Sequence, residues 1–402
     1  MIKTDVIILG GGLVGMTLAL ALDAHGISTA LVDPLPSEVA LAPDFDGRAS
    51  AVASASWRML EAIGIADTLK PHGCAIRCIE VRDGLQERSL DFTVPEGDEP
   101  LGTMMENRIL RRTLRDAVEA AEHVQLFIPD KAVRVDRSEH KVTVTLSSGV
   151  TLNAPLLIAA EGRNSPTRET AQIKIATWKY DHAAIISAFD HSIDHRNVAH
   201  EIFYPEGPFA LLPLLPGTRS ALVWTVNKAD AVGVMALSER AFLAEVSKRT
   251  GGLLGEISMA AARSSYPLGF HHAATITANR LALVGDAAHG IHPIAGQGLN
   301  LGFRDVAALT EVLVEGARLG LDLADPQLLA RYQRWRSIDS LSVSVATDSL
   351  NRLFGLPGSP ARSVRRFGLG AVQKFKPLKG FFMAEARGQN GALPKLLKGE
   401  MV

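Results

Sequence analysis

The chain has 402 residues, enough for two or three domains at roughly 150 residues each, and its 47% hydrophobic and 21% charged residues are the proportions of a folded globular protein. Its 42 basic and 43 acidic side chains leave a net charge of −1, which excludes the basic excess of a nucleic-acid binder. The two cysteines, Cys74 and Cys78, fall within one expected strand and supply neither a disulfide framework nor a metal set, which points to a reducing, cytoplasmic setting.

The N-terminus has the outline of a signal peptide, with Lys3 ahead of the apolar run Val6 to Leu22 and an Ala-Leu-Ala at 19–21. Asp5 and the glycines at 10–12 spoil it as an anchor, and strand-turn-helix grammar explains the same residues better. No other stretch reaches the roughly 18 apolar residues of a spanning helix. The chain is expected to be soluble.

Residues 4–9 (TDVIIL) predict a short buried parallel strand, residues 13–25 a helix, and Thr29 to Asp33 a second parallel strand, which together make a βαβ unit. Residues 76–82 and 89–93 predict a hairpin and 106–122 a helix. The alternation of Val142, Val144 and Leu146 predicts an antiparallel strand with one polar face. Ala154 to Ala160 is a continuous apolar strand. Short strands are expected over 183–226, among them Phe209 to Leu215 and Ala221 to Thr225. A last buried strand at 281–285 precedes a helix from about 297, and the chain from 326 on is mostly helical. The implied class is α/β. A Rossmann-like dinucleotide-binding domain is assembled from 1–75, 100–180 and 276–325. A β-sheet substrate domain (76–99 and 181–275) is interleaved with it, and 326–402 form a helical C-terminal region.

Two glycine motifs carry the chemistry. Gly10, Gly12 and Gly15 satisfy G-x-G-x-x-G between a strand and a helix. The first allows the tight turn, the second lets a pyrophosphate approach the backbone, and the third lets helix and strand pack closely. The helix start offers free N–H groups and a positive dipole end to the phosphates. Asp33 ends the second strand at the spacing of a carboxylate that accepts from ribose hydroxyls. This motif alone does not separate FAD from NAD. The second motif runs from Gly285 to Asp305. Gly285-Asp286 places a carboxylate beside a ribityl chain, Pro293 fixes a turn, and Gly296 and Gly298 let the backbone approach a flat ring. A helix starting near Gly298 points its positive end at that ring, which suits a reduced, anionic flavin.

Gly285-Asp286, His292-Pro293 and the run Gly296-Gln297-Gly298-Leu299-Asn300-Leu301-Gly302, with Arg304-Asp305 following, resemble the FAD aromatic hydroxylases related to p-hydroxybenzoate hydroxylase. The string HPIAGQGLNLG is most similar to their ubiquinone-biosynthesis (UbiH/UbiF-like) branch. Asp46-Gly47-Arg48-Ala49, Glu106-Asn107-Arg108, Gly207-Pro208 with Leu212-Pro213-Leu214, Trp224, and Thr347-Asp348 with Asn351 and Phe354 extend the resemblance over essentially the whole chain. It implies FAD as cofactor and NAD(P)H as reductant. Arg48 would lie along the pyrophosphate or ribityl region, with a solvated loop charge as the alternative. Asn107 or Arg108 would be a further FAD contact, Asn107 being equally suited to capping a helix. Asp286 would bind the ribityl chain, and Gln297, Leu299 and Asn300 would lie beside the ring. Where the family carries Asp-Gly, this chain has Glu161-Gly162, followed by the matching Ser165 and Arg168. The charge is kept and moved out by one methylene, which bears on NAD(P)H more than on FAD. His289 and His292, with only Asp286 nearby, are a poor metal set.

The reaction implied by the resemblance is hydroxylation of a polyprenylated phenol by O2 through a flavin hydroperoxide. Neither the resemblance nor the residues name a base. Phe203, Tyr204, Pro213 and Trp224 are candidates for the substrate pocket, with ordinary core positions as the alternative. Competing functions are an NAD-dependent dehydrogenase, an FAD reductase acting on isoprenoids, a halogenase (whose W-x-W-x-x-P signature is missing), and a non-catalytic FAD-bearing subunit in a complex with other ubiquinone-biosynthesis proteins. Residues 361–402 hold nine Lys and Arg against Glu385 and Glu400, a balance of +7, with Phe375, Phe381, Phe382 and Met383 interleaved. That pattern suits peripheral contact with an anionic membrane surface, and equally a tail docked on its own domain.

Overall fold

The computed structural model describes residues 1–42, 44–86, 89–290, 297–337 and 376–402. Pro293 and Gly296, the side chain of Gln297, Thr347, Asp348, Asn351 and Phe354, and the cations Arg362, Arg365, Arg366 and Lys374 lie outside the described residues.

The first expected strand is Val6–Leu9, at the centre of a six-stranded sheet ordered Thr277–Ala278, Leu281–Leu283, Leu156–Ala159, Val6–Leu9, Thr29–Val32 and Val124–Phe127. All pairings are parallel except the terminal hairpin. Val6–Leu9 and Leu156–Ala159 are buried along their whole length, because the helices and the buried side chains of a second, four-stranded sheet pack with them in one core and no position is left for a polar side chain. The helices Leu13–Asp23, Asn107–Ala120 and Gln297–Arg318 contribute Leu18, Leu22, Leu114, Val118, Phe303 and Val312 to one core with these strands. The expected strand Ala154 to Ala160 is in fact two. Thr151–Ala154 joins a four-stranded sheet with Ile2–Lys3, Val142–Leu146 and Ala132–Arg137, and Leu156–Ala159 joins the parallel one. Pro155, which has no N–H for a ladder, stands at the transfer point.

The second large unit is an eight-stranded sheet: His289–Gly290, Ile257–Ala273, Ile175–His191, Arg219–Asn227, Gly207–Leu214, Val198–Tyr204, Cys78–Asp83 and Ser89–Thr93. The first of the short strands expected over 183–226 belongs to a strand of 17 residues, Ile175–His191, and its neighbour Ile257–Ala273, outside that range, is equally long. Register shifts between Lys179 and Ala183 and on either side of Ala188 break the two-residue alternation, so the sequence pattern hides their length. Two helices not expected from the sequence, Lys228–Ala236 and Glu239–Thr250, cover one face with Phe242 and Val246. Cys74 and Cys78 are not in one strand. Cys74–Ile76 pairs within a three-stranded sheet with Gly102–Glu106 and Ala49–Ala53, and Cys78 opens a strand of the large sheet.

The C-terminal residues dock on the first unit. Leu396 and Leu397 are buried in its core, Arg304 donates to the carbonyls of Gly388 and Asn390, and the Val402 N–H donates to His25 Nε2 at 3.1 Å. Among the described residues no helix is long and apolar enough to cross a membrane.

Candidate functional site

The first glycine motif stands where the strand Val6–Leu9 meets the helix Leu13–Asp23, and its glycines differ in what they are needed for. Gly10 has φ +110°, and a Cβ there would lie 2.3 Å from the Ala160 carbonyl oxygen. A Cβ on Gly15 would lie 1.9 Å from the Gly10 oxygen. Gly12 is another matter. It has φ −76°, which any residue adopts, and a Cβ on it would meet no described atom within 4 Å. Nothing among the described residues calls for a glycine at position 12, whereas a pyrophosphate against the helix start would. Asp33 accepts from the Gly11 N–H at 2.6 Å and, through its other oxygen, from the Leu35 N–H at 2.8 Å. Each oxygen keeps a lone pair for a ribose hydroxyl. These residues open on a cavity of about 960 Å³ lined also by Arg134, Glu161 and Gly162. Its size and polarity suit the adenosine half of a dinucleotide.

The second motif is held from beneath. Gly285, at φ +59°, turns the chain out of Leu281–Leu283 and leaves Asp286 exposed, with no described partner for its carboxylate. The Gly285 N–H donates at 2.8 Å to Asp305 Oδ2. Arg336 Nε donates to the other oxygen at 2.6 Å, and His289 Nε2 lies 2.7 Å from Oδ2. Asp305 and Arg336 are 0% and 1% exposed. Burial pushes the Asp305 carboxyl up, but His289 and Arg336 outweigh it and hold the group below the usual carboxylate range. Arg336 escaped the sequence reading, since a single arginine in a helical stretch gives no periodic signal. His271 Nε2 lies 2.7 Å from the Asp286 carbonyl oxygen and must carry its proton there.

Arg168 ties the Glu161 loop to the second motif. It is 2% exposed, and it donates to the carbonyls of Ala287 at 3.1 Å and Arg163 at 2.8 Å. The Glu161 carboxylate accepts from Ser165 Oγ at 2.6 Å and from the Thr167 N–H at 3.1 Å, so the longer side chain does close the loop. Glu161→Asp should therefore pull the loop inward by one methylene. The expected result is a change in the Michaelis constant for NAD(P)H larger than any change in FAD occupancy, because a transiently bound nucleotide has less binding energy to spare. Steady-state kinetics beside flavin content measures both, and lower flavin content with unchanged nicotinamide kinetics would contradict it.

Asn300 works differently from a ring contact. Its amide donates to the Ala51 carbonyl at 2.7 Å and accepts from the Ala53 N–H at 2.8 Å, so its side chain pins the strand Ala49–Ala53 to the first turn of Gln297–Arg318. Leu299 is half-buried against the main core. A Cβ on Gly298 would meet no described atom within 4 Å, leaving room for a ring, whereas Gly302 is required by Val14, whose Cγ2 would lie 2.7 Å from a Cβ. Arg48 pairs with Asp46 at 2.6 Å and is half-exposed; the hydrogen bond it donates to Asp46 raises the guanidinium pKa further. Asn107 does not cap its helix. Glu106 occupies the cap position, and Asn107 Oδ1 accepts from Ser50 Oγ at 2.7 Å while its N–H donates to the Arg48 carbonyl. Asn107 thus braces the loop that carries Arg48.

The expected pocket residues divide by face. Tyr204 and Trp224 pack under the two unexpected helices, where the Arg249 guanidinium lies 4.3 Å from the Trp224 ring and the Tyr204 hydroxyl donates to the Arg249 carbonyl. Pro213, opposite buried Ser220, alternates onto that same face. Only Phe203 lies on the other side.

Residues 3–340 match the family model described as FAD binding domain. The chain is 43% identical over 398 residues to the protein named ubiquinone hydroxylase UbiL of Rhodospirillum rubrum, with 98% of this chain and 92% of that one covered. It is 34% identical over 381 residues to 3-demethoxyubiquinol 3-hydroxylase of Escherichia coli, covering 94% and 96%. Among solved structures, p-nitrophenol 4-monooxygenase PnpA from Pseudomonas putida superposes with a TM-score of 0.79 at 18% identity, over 97% of this chain and 99% of that one, a likeness in fold. With the first glycine motif and the Gly285 turn in place and 338 of its residues spanned by the family model, the chain belongs to the FAD-binding-domain family, in the UbiH/UbiF-like branch of the flavoprotein monooxygenases.

Proposed function

We propose that this chain hydroxylates the ring of a polyprenylated phenol in ubiquinone biosynthesis, taking electrons from NAD(P)H and oxygen from O2. The observation that carries the reading is 43% identity, over nearly the whole of both chains, to a protein named ubiquinone hydroxylase. FAD, when bound, supplies the redox and oxygen-activating chemistry. The protein's residues bind and orient. Gly10, Gly12 and the start of Leu13–Asp23 take the pyrophosphate, Asp33 a ribose, Asp286 the ribityl chain, and Pro293, Gly296, Gln297, Gly298 and Leu299 the ring. Arg48, braced by Asp46 and Asn107, supplies a cation close by, and Asn300 fixes the neighbouring strand. Deleting the protein from its cells and analysing the prenylated phenols tests the reading. A ring lacking one hydroxyl should accumulate and disappear on re-expression; normal ubiquinone without the protein would refute it.

The substrate's prenyl chain favours a place at the inner face of the membrane. Part of the basic C-terminal segment is already engaged. Lys379 pairs with Asp91, Arg387 with Asp98 and Lys395 with Glu315, at 3.3, 2.8 and 3.4 Å. Of the six other cations in this segment, Arg362, Arg365, Arg366 and Lys374 precede the docked end, and membrane contact, with any docking of other ubiquinone-biosynthesis proteins, is assigned to these four with the exposed Phe381. Neutralising these four by glutamine leaves the docked end intact, as truncation would not. At on the order of 1 kcal/mol per cation near an anionic surface, the variant should lose most of its co-sedimentation with anionic liposomes. Equal sedimentation of variant and parent would remove this segment as the contact.

A further inference from the structure

The two faces of the large sheet meet different surroundings. Ile202, Phe209, Leu211 and Leu222 point to the helices Lys228–Ala236 and Glu239–Thr250. The alternate residues Ala199, Leu212, Leu214 and Ala221 point instead toward Ala49 and Ala51, on the strand that Asn300 holds against the first turn of Gln297–Arg318. Glu201 belongs to this second set. It lies between Ala199 and Phe203, opposite Ala210 on one neighbouring strand and Val81 on the other. Val223, the next residue across, is apolar as well and half-buried. Among the described residues the Glu201 carboxylate has no hydrogen-bond or ion-pair partner. A half-buried carboxyl left unpaired among valines and alanines is costly to the fold. Its position is accounted for by a ligand on the face turned to the cofactor's strand.

We propose that Glu201 is the catalytic base that takes the proton from the ring hydroxyl of the substrate. The inference rests on the phenol reading above. In this step the phenolic O–H bond breaks, the electron pair stays on the ring oxygen, and the proton passes to a Glu201 oxygen. The same carboxyl returns it when the hydroxylated ring is reprotonated, so no net proton is consumed. The resulting phenolate is the electron-rich ring that accepts an oxygen. Burial pushes the Glu201 carboxyl up to about 7, which lets it take and return a proton near neutral pH. The charged groups on this face and on the elements packed over it include four pairs: Asp46 with Arg48, Glu106 with Arg108, Asp190 with Arg219, and Asp91 with Lys379. Arg111 stands near the first of them, and Asp83 and Tyr266 share the face further along.

The test uses the full FAD-loaded chain and a phenol bearing one five-carbon prenyl group. Difference absorbance reports whether the bound phenol is ionised, and product per NAD(P)H reports coupling. In wild type the bound phenol should ionise at a lower pH than the free phenol. Glu201→Gln, of the same size, should bind it neutral and hydroxylate roughly 10²-fold or more slowly, with FAD content unchanged. Glu201→Asp should recover part of both signals. A Gln variant with the wild-type phenolate band and rate overturns the assignment and leaves the phenol reading standing. A Gln variant that loses its FAD overturns it too, by making Glu201 structural. Failure of wild type itself to bind or hydroxylate the phenol removes the reading and this inference together.

Discussion

Replacing Asp305 by alanine is expected to destabilise the FAD-free protein by about 3–5 kcal/mol, the usual cost of removing one partner from a buried ion pair. The reason is what it leaves behind. Arg336 is 1% exposed and donates its Nε to this carboxylate, so its buried charge would lose this fully buried carboxylate. The Gly285 N–H would lose its acceptor as well, and with it the turn that presents Asp286. Urea unfolding of both proteins measures the difference, and a loss below about 1 kcal/mol would show that the network is not what holds the turn. The pH dependence follows from the sign of the shift. Because the folded state holds this carboxyl below its ordinary 3.8, its contribution is fully present above that pH and is lost as the pH falls through the lower folded value. The alanine variant should lack this part of the acid sensitivity.

Gly12→Asp should have the opposite profile, with the fold kept and the cofactor lost. The position has φ −76° and faces open space, and it is the cap residue of Leu13–Asp23, where aspartate is favoured over glycine by a few tenths of a kcal/mol. The FAD-free variant should unfold at the same or a slightly higher urea concentration. The new carboxylate would stand where the pyrophosphate belongs. Two like charges about 4 Å apart at an effective dielectric near 20 repel by about 4 kcal/mol, on the order of a thousandfold in affinity. Gly15→Ala is the counterpart, because its Cβ would be driven into the Gly10 carbonyl and should disturb the fold with or without FAD. Full retention of FAD by Gly12→Asp would show that the phosphates lie elsewhere.

What the sequence disclosed follows from what each residue is for. Strands buried on both faces, such as Val6–Leu9 and Leu156–Ala159, are written as unbroken apolar runs, and turns that need glycine are written as glycine. Side-chain direction was not legible in the large sheet. Tyr204, Pro213 and Trp224 are as aromatic or apolar as any pocket wall, and their strands carry apolar residues on both faces, so alternation alone does not say which face meets the helices. Asn300 sits within a cofactor motif, yet both ends of its amide are taken by backbone groups 247 and 249 positions away, partners no local pattern can reveal. Arg336 and Glu201 were silent for the same reason. A lone charge acquires its meaning only when the fold brings a carboxylate to the one and withholds any described partner from the other.

The strand order of the parallel sheet also sets a timetable for biosynthesis. Leu156–Ala159 pairs with Val6–Leu9 on one side, but its other neighbour is Leu281–Leu283, which the ribosome makes only after the intervening strands of the large sheet. At about 5–20 residues per second, that open edge waits roughly 6–25 s for its partner. Throughout that interval a strand destined for complete burial presents unpaired backbone groups and an apolar surface, the combination that recruits other chains. Nascent chains arrested between residues 160 and 280 should thus be the most dependent on chaperones, and the release of that dependence should coincide with the emergence of the strand that leads into Gly285.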